Sequence, residues 1–190
     1  MHPLHGVRPE LPQKRAVTAA EETGMEKRIV LLNGPSSSGK STLSGALKAL
    51  IARELSRTYE VVSVDDFMKT DPMETIYEDD VYEISGDLCA RVREAAEACD
   101  GVIVDHVITS ERIFLQLREA VRAYRLCTVH VTCAPEILAR RERERGDRCP
   151  GSAASSAEYL YPKEGYDLTV DTGIRTPEEN ARIILGLLPE

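Results

Sequence analysis

The sequence predicts an α/β protein in which a parallel sheet of five strands carries helices on both faces. Three observations predict it. Five short apolar runs alternate with helix-patterned segments, the first run opens into a glycine-serine loop and a helix, and aspartates stand at the ends of the second and third runs. Strands separated by helices must run parallel, and a sheet buried on both faces reads as continuous apolar runs rather than alternation.

The elements follow in order. The apolar run at 29–32 is the first strand, and Leu43, Leu47, Leu50, Ile51 and Leu55 set a helical period to about residue 58. Residues 61–64 form a short second strand that delivers Asp65 and Asp66 at its carboxyl end. The acidic, tyrosine-bearing stretch 67–84 lacks a period and reads as a loop or short helical pieces over a site. A helical pattern returns at 87–99, and 101–105 is the third strand. Ser110 is placed to cap a helix through 124, and 126–131 is the fourth strand. Pro135 suits the first turn of an arginine-rich helix through Arg145. Residues 146–157, rich in glycine, serine and alanine, read as a mobile segment. Residues 168–170 form the last strand, and Thr176-Pro177-Glu178-Glu179 is a capping box opening the final helix.

The 190 residues suit one domain with a core that needs no staple, expected over 25–190. Residues 1–24 read as a flexible tail without the apolar stretch of a secretory signal, and Met25 is an alternative start. A net charge of -8 and a pI near 5.2 argue against a nucleic-acid or anionic-membrane binder, and no run is long enough to span a bilayer. Five cysteines without a C-x-x-C pair point to idle thiols in a reducing cytoplasm rather than to disulfides or zinc.

The chemistry centres on Gly34-Pro35-Ser36-Ser37-Ser38-Gly39-Lys40-Ser41, which fits G-x-x-x-x-G-K-[ST] in its strand-loop-helix setting. Such a P-loop wraps phosphates in backbone N–H groups at a helix N-terminus. Lys40 is the residue to reach the β- and γ-phosphates, and Ser41 offers its hydroxyl to Mg²⁺. Asp105 ends an apolar strand and is the second candidate magnesium group, although a strand-end aspartate also serves as a turn cap. Phosphoryl transfer to a hydroxyl needs a carboxylate to take the proton, and Asp65 or Asp66 can supply it. A buried Val64 would favour Asp65, since neighbours on an extended chain point opposite ways. Both aspartates also suit plain turn roles. Beside Asp105, His106 either faces an acceptor or packs.

Arg141, Arg145 and Arg148 fall at i, i+4, i+7 and would share a helix face, either as a lid over a triphosphate or as a solvated face laced with Glu-Arg pairs. Glu74, Glu78, Asp79, Asp80 and Glu83 either select a cationic acceptor or form a solvated face. Phe67, Met68, Tyr77 and Tyr82 suit an apolar acceptor pocket or the core.

With these motifs in order, the chain resembles the chloramphenicol phosphotransferase family of small P-loop kinases. The resemblance rests on Leu31-Leu32-Asn33-Gly34, Val64-Asp65, Val102-Ile103-Val104-Asp105, Arg145-Gly146-Asp147-Arg148 with Gly151 and Ala153, and Tyr166-Asp167-Leu168 to Val170-Asp171-Thr172. It covers about residues 27–188. It implies a nucleoside-monophosphate-kinase-like fold, ATP as donor, Asp65 as base, and Arg141 and Arg145 as lid arginines; Arg148, on the same predicted face, is expected to bind the nucleotide. The sequence departs from the family pattern at Asp66, His106, Ser156 and Tyr161, expected to border the acceptor. The leading expectation is an ATP- and Mg²⁺-dependent kinase for a small-molecule hydroxyl, chloramphenicol among the candidates. The alternatives are a nucleoside, sugar or nucleotide-sugar kinase and a non-catalytic ATP-binding regulator. A GTPase switch is excluded by the missing D-x-x-G and N-K-x-D.

Overall fold

The computed structural model describes residues 27–68 and 77–188. The expectations for residues 1–24, Met25 and Glu74 lie outside them. Strands β1 (Arg28–Asn33), β2 (Tyr59–Ser63), β3 (Gly101–His106), β4 (Arg125–Thr132) and β5 (Leu168–Asp171) form one sheet in the order β2-β3-β1-β4-β5. Every pairing is parallel. The helices are α1 (Lys40–Leu55), α2 (Glu78–Ala98), α3 (Glu111–Ala120), α4 (Pro135–Arg145), α5 (Ser152–Tyr159) and α6 (Pro177–Leu185).

Side chains of a strand alternate between faces, and the two cores divide accordingly. Ile29, Leu31, Val102 and Val104 pack with Leu88 and Val92 of α2 and Ile113 and Leu117 of α3. Val30, Leu32 and Ile103 pack on the other face with Leu43, Leu47 and Ile51 of α1 and Ile184 of α6. Each fully buried aliphatic side chain adds about 1.5–3 kcal/mol of burial free energy, so these paired faces hold the sheet in register. That register sets Asn33 opposite His106 and Ser63 opposite Asp105, which brings the ends of β1, β2 and β3 to one edge.

Four expectations need correction. Helix α2 begins at Glu78, not near residue 87, because Asp80 accepts the Tyr77 N–H (3.0 Å) and the acidic first turn suits the helix dipole. Helix α1 stops at Leu55, where Ser56 turns left-handed, and α3 stops at Ala120. Residues 152–159, expected as part of a mobile segment, are helix α5. Glu142 of α4 accepts the N–H groups of Gly151 (2.9 Å) and Ala153 (2.7 Å), satisfying donors that a helix start leaves bare. The Thr176 capping box forms as expected, with Glu179 N donating to Thr176 Oγ1 and Thr176 N to Glu179 Oε2.

His106 packs rather than facing the cleft. It is fully buried, its Nε2 is 2.8 Å from Ser85 Oγ, and burial pulls its imidazole down to about 4. As pH falls the unfolded chain therefore takes up the proton first. The His106 contribution is complete above about 6.5 and drains away toward 4, about 3 kcal/mol in all. Urea midpoints at pH 7 and pH 4.5 should differ more for the native chain than for His106→Gln; equal differences would clear His106 of this role.

Candidate active site

The loop between β1 and α1 is shaped by two requirements. Gly34 passes so close to β4 that a Cβ would lie 2.2 Å from the Val131 carbonyl oxygen, so no side chain fits. Ser37 and Gly39 are left-handed, with φ of 62° and 86°, and glycine takes that conformation without strain. The resulting curl turns the Gly34 and Pro35 carbonyls onto Lys40 Nζ, at 3.0 and 2.9 Å. Lys40 is only 6 % exposed. Burial lowers its pKa, against the pull of Asp105 and Asp65. Among the described residues no carboxylate lies within ion-pair distance of this ammonium, and the buried Ser37 hydroxyl has no partner. A desolvated cation in a loop that also holds an unpartnered buried hydroxyl suits an anion.

Ser41 Oγ donates to Asp105 Oδ2 at 2.8 Å, across the edge where β1 and β3 end. Asp105 is 3 % exposed, and burial raises its pKa against Lys40 and the Ser41 hydrogen bond. These two oxygen donors fit a hard divalent ion that takes its remaining ligands from phosphates and water. Among the described residues there is no cluster of three or more His, Cys, Asp or Glu that would make a self-sufficient metal site.

Asp65 and Asp66 sit in a 3₁₀ turn, Val64–Phe67, not on an extended strand. The turn opens where the Ser63 hydroxyl accepts the Asp65 N–H (3.4 Å). Val64 is buried, and Asp65, not Asp66, lines the cleft. Its Oδ2 is 2.5 Å from Arg148 Nη2.

The three arginines do not share one helix face. Gly146, left-handed at φ 65°, ends α4 directly after Arg145, so Arg148 approaches from the next segment. Arg141 ties the P-loop to the end of β5, donating to Ser38 O (3.3 Å), Thr172 Oγ1 (3.1 Å) and Thr172 O (2.9 Å). Arg145 pairs with Asp147 at 3.0 Å. All three line one cleft of about 1180 Å³ with Ser36, Lys40, Ser41, Asp65 and Asp105.

The cleft lining also includes the apolar side chains of Val64, Met68, Val81 and Val107, together with the hydroxyls of Thr109 and Ser110. The acidic cluster largely serves α2: Glu78 pairs with Arg112 (2.5 Å) and Ser110, Asp79 also pairs with Arg112, and Asp80 caps. Phe67 and Tyr82 pack against the core, while Tyr77 is 69 % exposed. Of the four departures from the family pattern, only Ser156 reaches the cleft. It meets the P-loop itself, accepting the Ser36 N–H at 2.9 Å.

Sequence reasoning gave no role to Asn33, which organises the edge. Its amide donates to Tyr161 O and Tyr166 Oη, both at 2.8 Å, and accepts the buried Ile108 N–H at 2.9 Å. The signal was an asparagine ending a strand of buried apolar residues, where an unpaired amide would be costly.

A five-stranded parallel sheet with a P-loop after β1 and carboxylates at the ends of β2 and β3 defines an α/β protein of the P-loop class. The family model for chloramphenicol phosphotransferase-like proteins matches residues 27–189, and the chain belongs to that family. A Mycobacterium tuberculosis protein named "Putative O-phosphotransferase Rv2636" is 28% identical over 202 residues, taking in 93% of this chain and 89% of the relative. Among solved structures, the M. tuberculosis APS kinase CysC in complex with AMPPNP and APS superposes with a TM-score of 0.66 at 18% identity, covering 86% of this chain and 98% of that one. A gluconokinase from Sinorhizobium meliloti 1021 gives 0.66 at 20% identity, covering 85% and 91%. Shikimate kinase from Acinetobacter baumannii gives 0.58 at 17% identity, covering 88% and 96%.

Replacing Asn33 with alanine leaves the Ile108 N–H and the Tyr161 carbonyl without this partner. The expected loss is roughly 3 kcal/mol of unfolding free energy, read by urea denaturation; a change under about 0.5 kcal/mol would show that Asn33 is dispensable.

Proposed function

We propose that this protein transfers the γ-phosphate of ATP to a hydroxyl group of a small molecule. The observation that carries the reading is the buried Lys40 ammonium, held by neutral oxygens in a curled P-loop, with the Asp65 carboxylate in the same cleft. Lys40 and the loop N–H groups bind and orient the triphosphate. Ser41 and Asp105 hold Mg²⁺, which, when bound, offsets charge on the phosphate oxygens. Asp65 accepts the proton of the acceptor hydroxyl and lines its oxygen up with the phosphorus. Arg145 and Arg148 on the lid segment neutralise the transferred group, Arg148 also steadies Asp65, and Arg141 serves the donor side by fixing Ser38 and Thr172.

The apolar side chains of the cleft lining, together with the hydroxyls of Thr109 and Ser110, suit an alcohol with an apolar body. Chloramphenicol-like alcohols therefore head the acceptors to try, ahead of the nucleosides and sugars that also offer hydroxyls. A screen of such compounds reading ADP release above the acceptor-free rate tests the reading, and silence across all classes despite tight ATP binding would favour a non-catalytic ATP-binding protein.

Two substitutions separate the roles. Asp65→Asn should keep ATP affinity within about threefold yet lower transfer by roughly 10²–10⁴-fold, whereas near-normal turnover would remove Asp65 as base. Lys40→Ala should lose ATP affinity by at least about tenfold, since hydrogen bonds to charged groups are worth about 1.5–3 kcal/mol. Calorimetric titration with Mg-ATP reads both, and an unchanged affinity in the lysine variant would unseat the donor site.

A further inference from the structure

The Pro35–Ser36 peptide is gripped at both ends. Its carbonyl takes Lys40 Nζ at 2.9 Å, and its N–H donates to Ser156 Oγ, in the lid helix α5, at 2.9 Å. A trans peptide points its C=O and N–H in opposite directions. The N–H of Ser36 is thus turned away from the ammonium that meets the phosphates and toward the lid. Within a loop whose amides serve an anion, this one serves the protein.

The other contacts of α5 suit an anchored helix. The Ser156 hydroxyl proton turns back onto its own helix, with Oγ 3.1 Å from Ala153 O, which leaves the oxygen free to accept from Ser36. Glu142 holds the helix start through Gly151 and Ala153, and Ala153 packs with Cys133, Ile137 and Leu138. The segment between α4 and α5 is thereby fixed at both sides, and Arg148, which meets Asp65, lies on it.

We propose that Ser156 is a positioning residue that seats helix α5 on the P-loop, so that Arg148 reaches Asp65 in a pose the loop itself dictates. The inference deepens the kinase reading, on which its catalytic meaning rests, while the anchoring itself is a contact between two segments of the protein. Preset lid geometry lowers the ordering cost of assembling the site for transfer.

Hydrogen exchange on the full chain without nucleotide tests it, comparing the native protein with Ser156→Ala and Ser156→Thr. The alanine variant should exchange about fivefold faster across 146–160, the change one hydrogen bond can make to an opening equilibrium, while the threonine variant, which keeps the hydroxyl, stays near native. Mg-ATP affinity should remain within about twofold, because this N–H is not aimed at phosphate. Unchanged exchange in Ser156→Ala overturns the anchor. A drop in ATP affinity of about tenfold or more also overturns it, since Ser156 would then act on nucleotide binding. If the native chain itself fails to bind Mg-ATP, the kinase reading fails, while the exchange data still decide the anchor.

Discussion

A buried ammonium resting on neutral oxygens is the constraint around which this molecule is organised. Desolvating a cation without a counter-charge costs several kcal/mol, so the loop around Lys40 must turn its carbonyls inward and keep them there. That demands a curl with left-handed residues at Ser37 and Gly39 and a glycine where the chain brushes Val131. Thr172 and Arg141 both hold the Ser38 carbonyl, and Ser156 holds the Ser36 amide. The strain of the site is borne by the two apolar faces of the sheet, which set β1, β3 and β4 in register beneath it.

Helices α4 and α5 are integral to this arrangement. They are joined through Glu142, and they reach the two halves of the cleft through Arg148, on the segment between them, at Asp65 and through Ser156, within α5, at the P-loop. Arginines that looked equivalent in the chain have three different partners: Thr172 with Ser38, Asp147, and Asp65. Their chemistry differs for that reason. One stiffens the loop, one stays near solvent beside the exposed Asp147, and one meets the candidate base.

Much of the fold was legible because its signals are local. Apolar runs of strand length, the capping box at Thr176 and the proline opening α4 each act within one or two turns, and these elements formed close to where the pattern put them, β2 moving from 61–64 to Tyr59–Ser63. The failures were also physical. Helix α2 starts at Glu78 because acidic residues stabilise a helix start without supplying an apolar period. Helix α5 forms in a glycine-serine-alanine stretch because a glutamate from the preceding helix caps it.

Of the site, the chain alone determined the P-loop and the acidic strand ends, since consecutive residues define the loop and a parallel sheet gathers its strand ends at one edge. It left Asp65 and Asp66 open pending the burial of Val64, and the structure buries Val64 and puts Asp65 on the cleft, through a 3₁₀ turn rather than an extended strand. Only the tertiary structure decided which arginine meets which partner, that His106 is core, that Asn33 knits the edge, and that Ser156 touches the loop. Those outcomes depend on contacts between residues far apart in sequence, such as 36 with 156 and 33 with 161. No local propensity encodes such a pairing; it exists once packing has fixed where each segment lies.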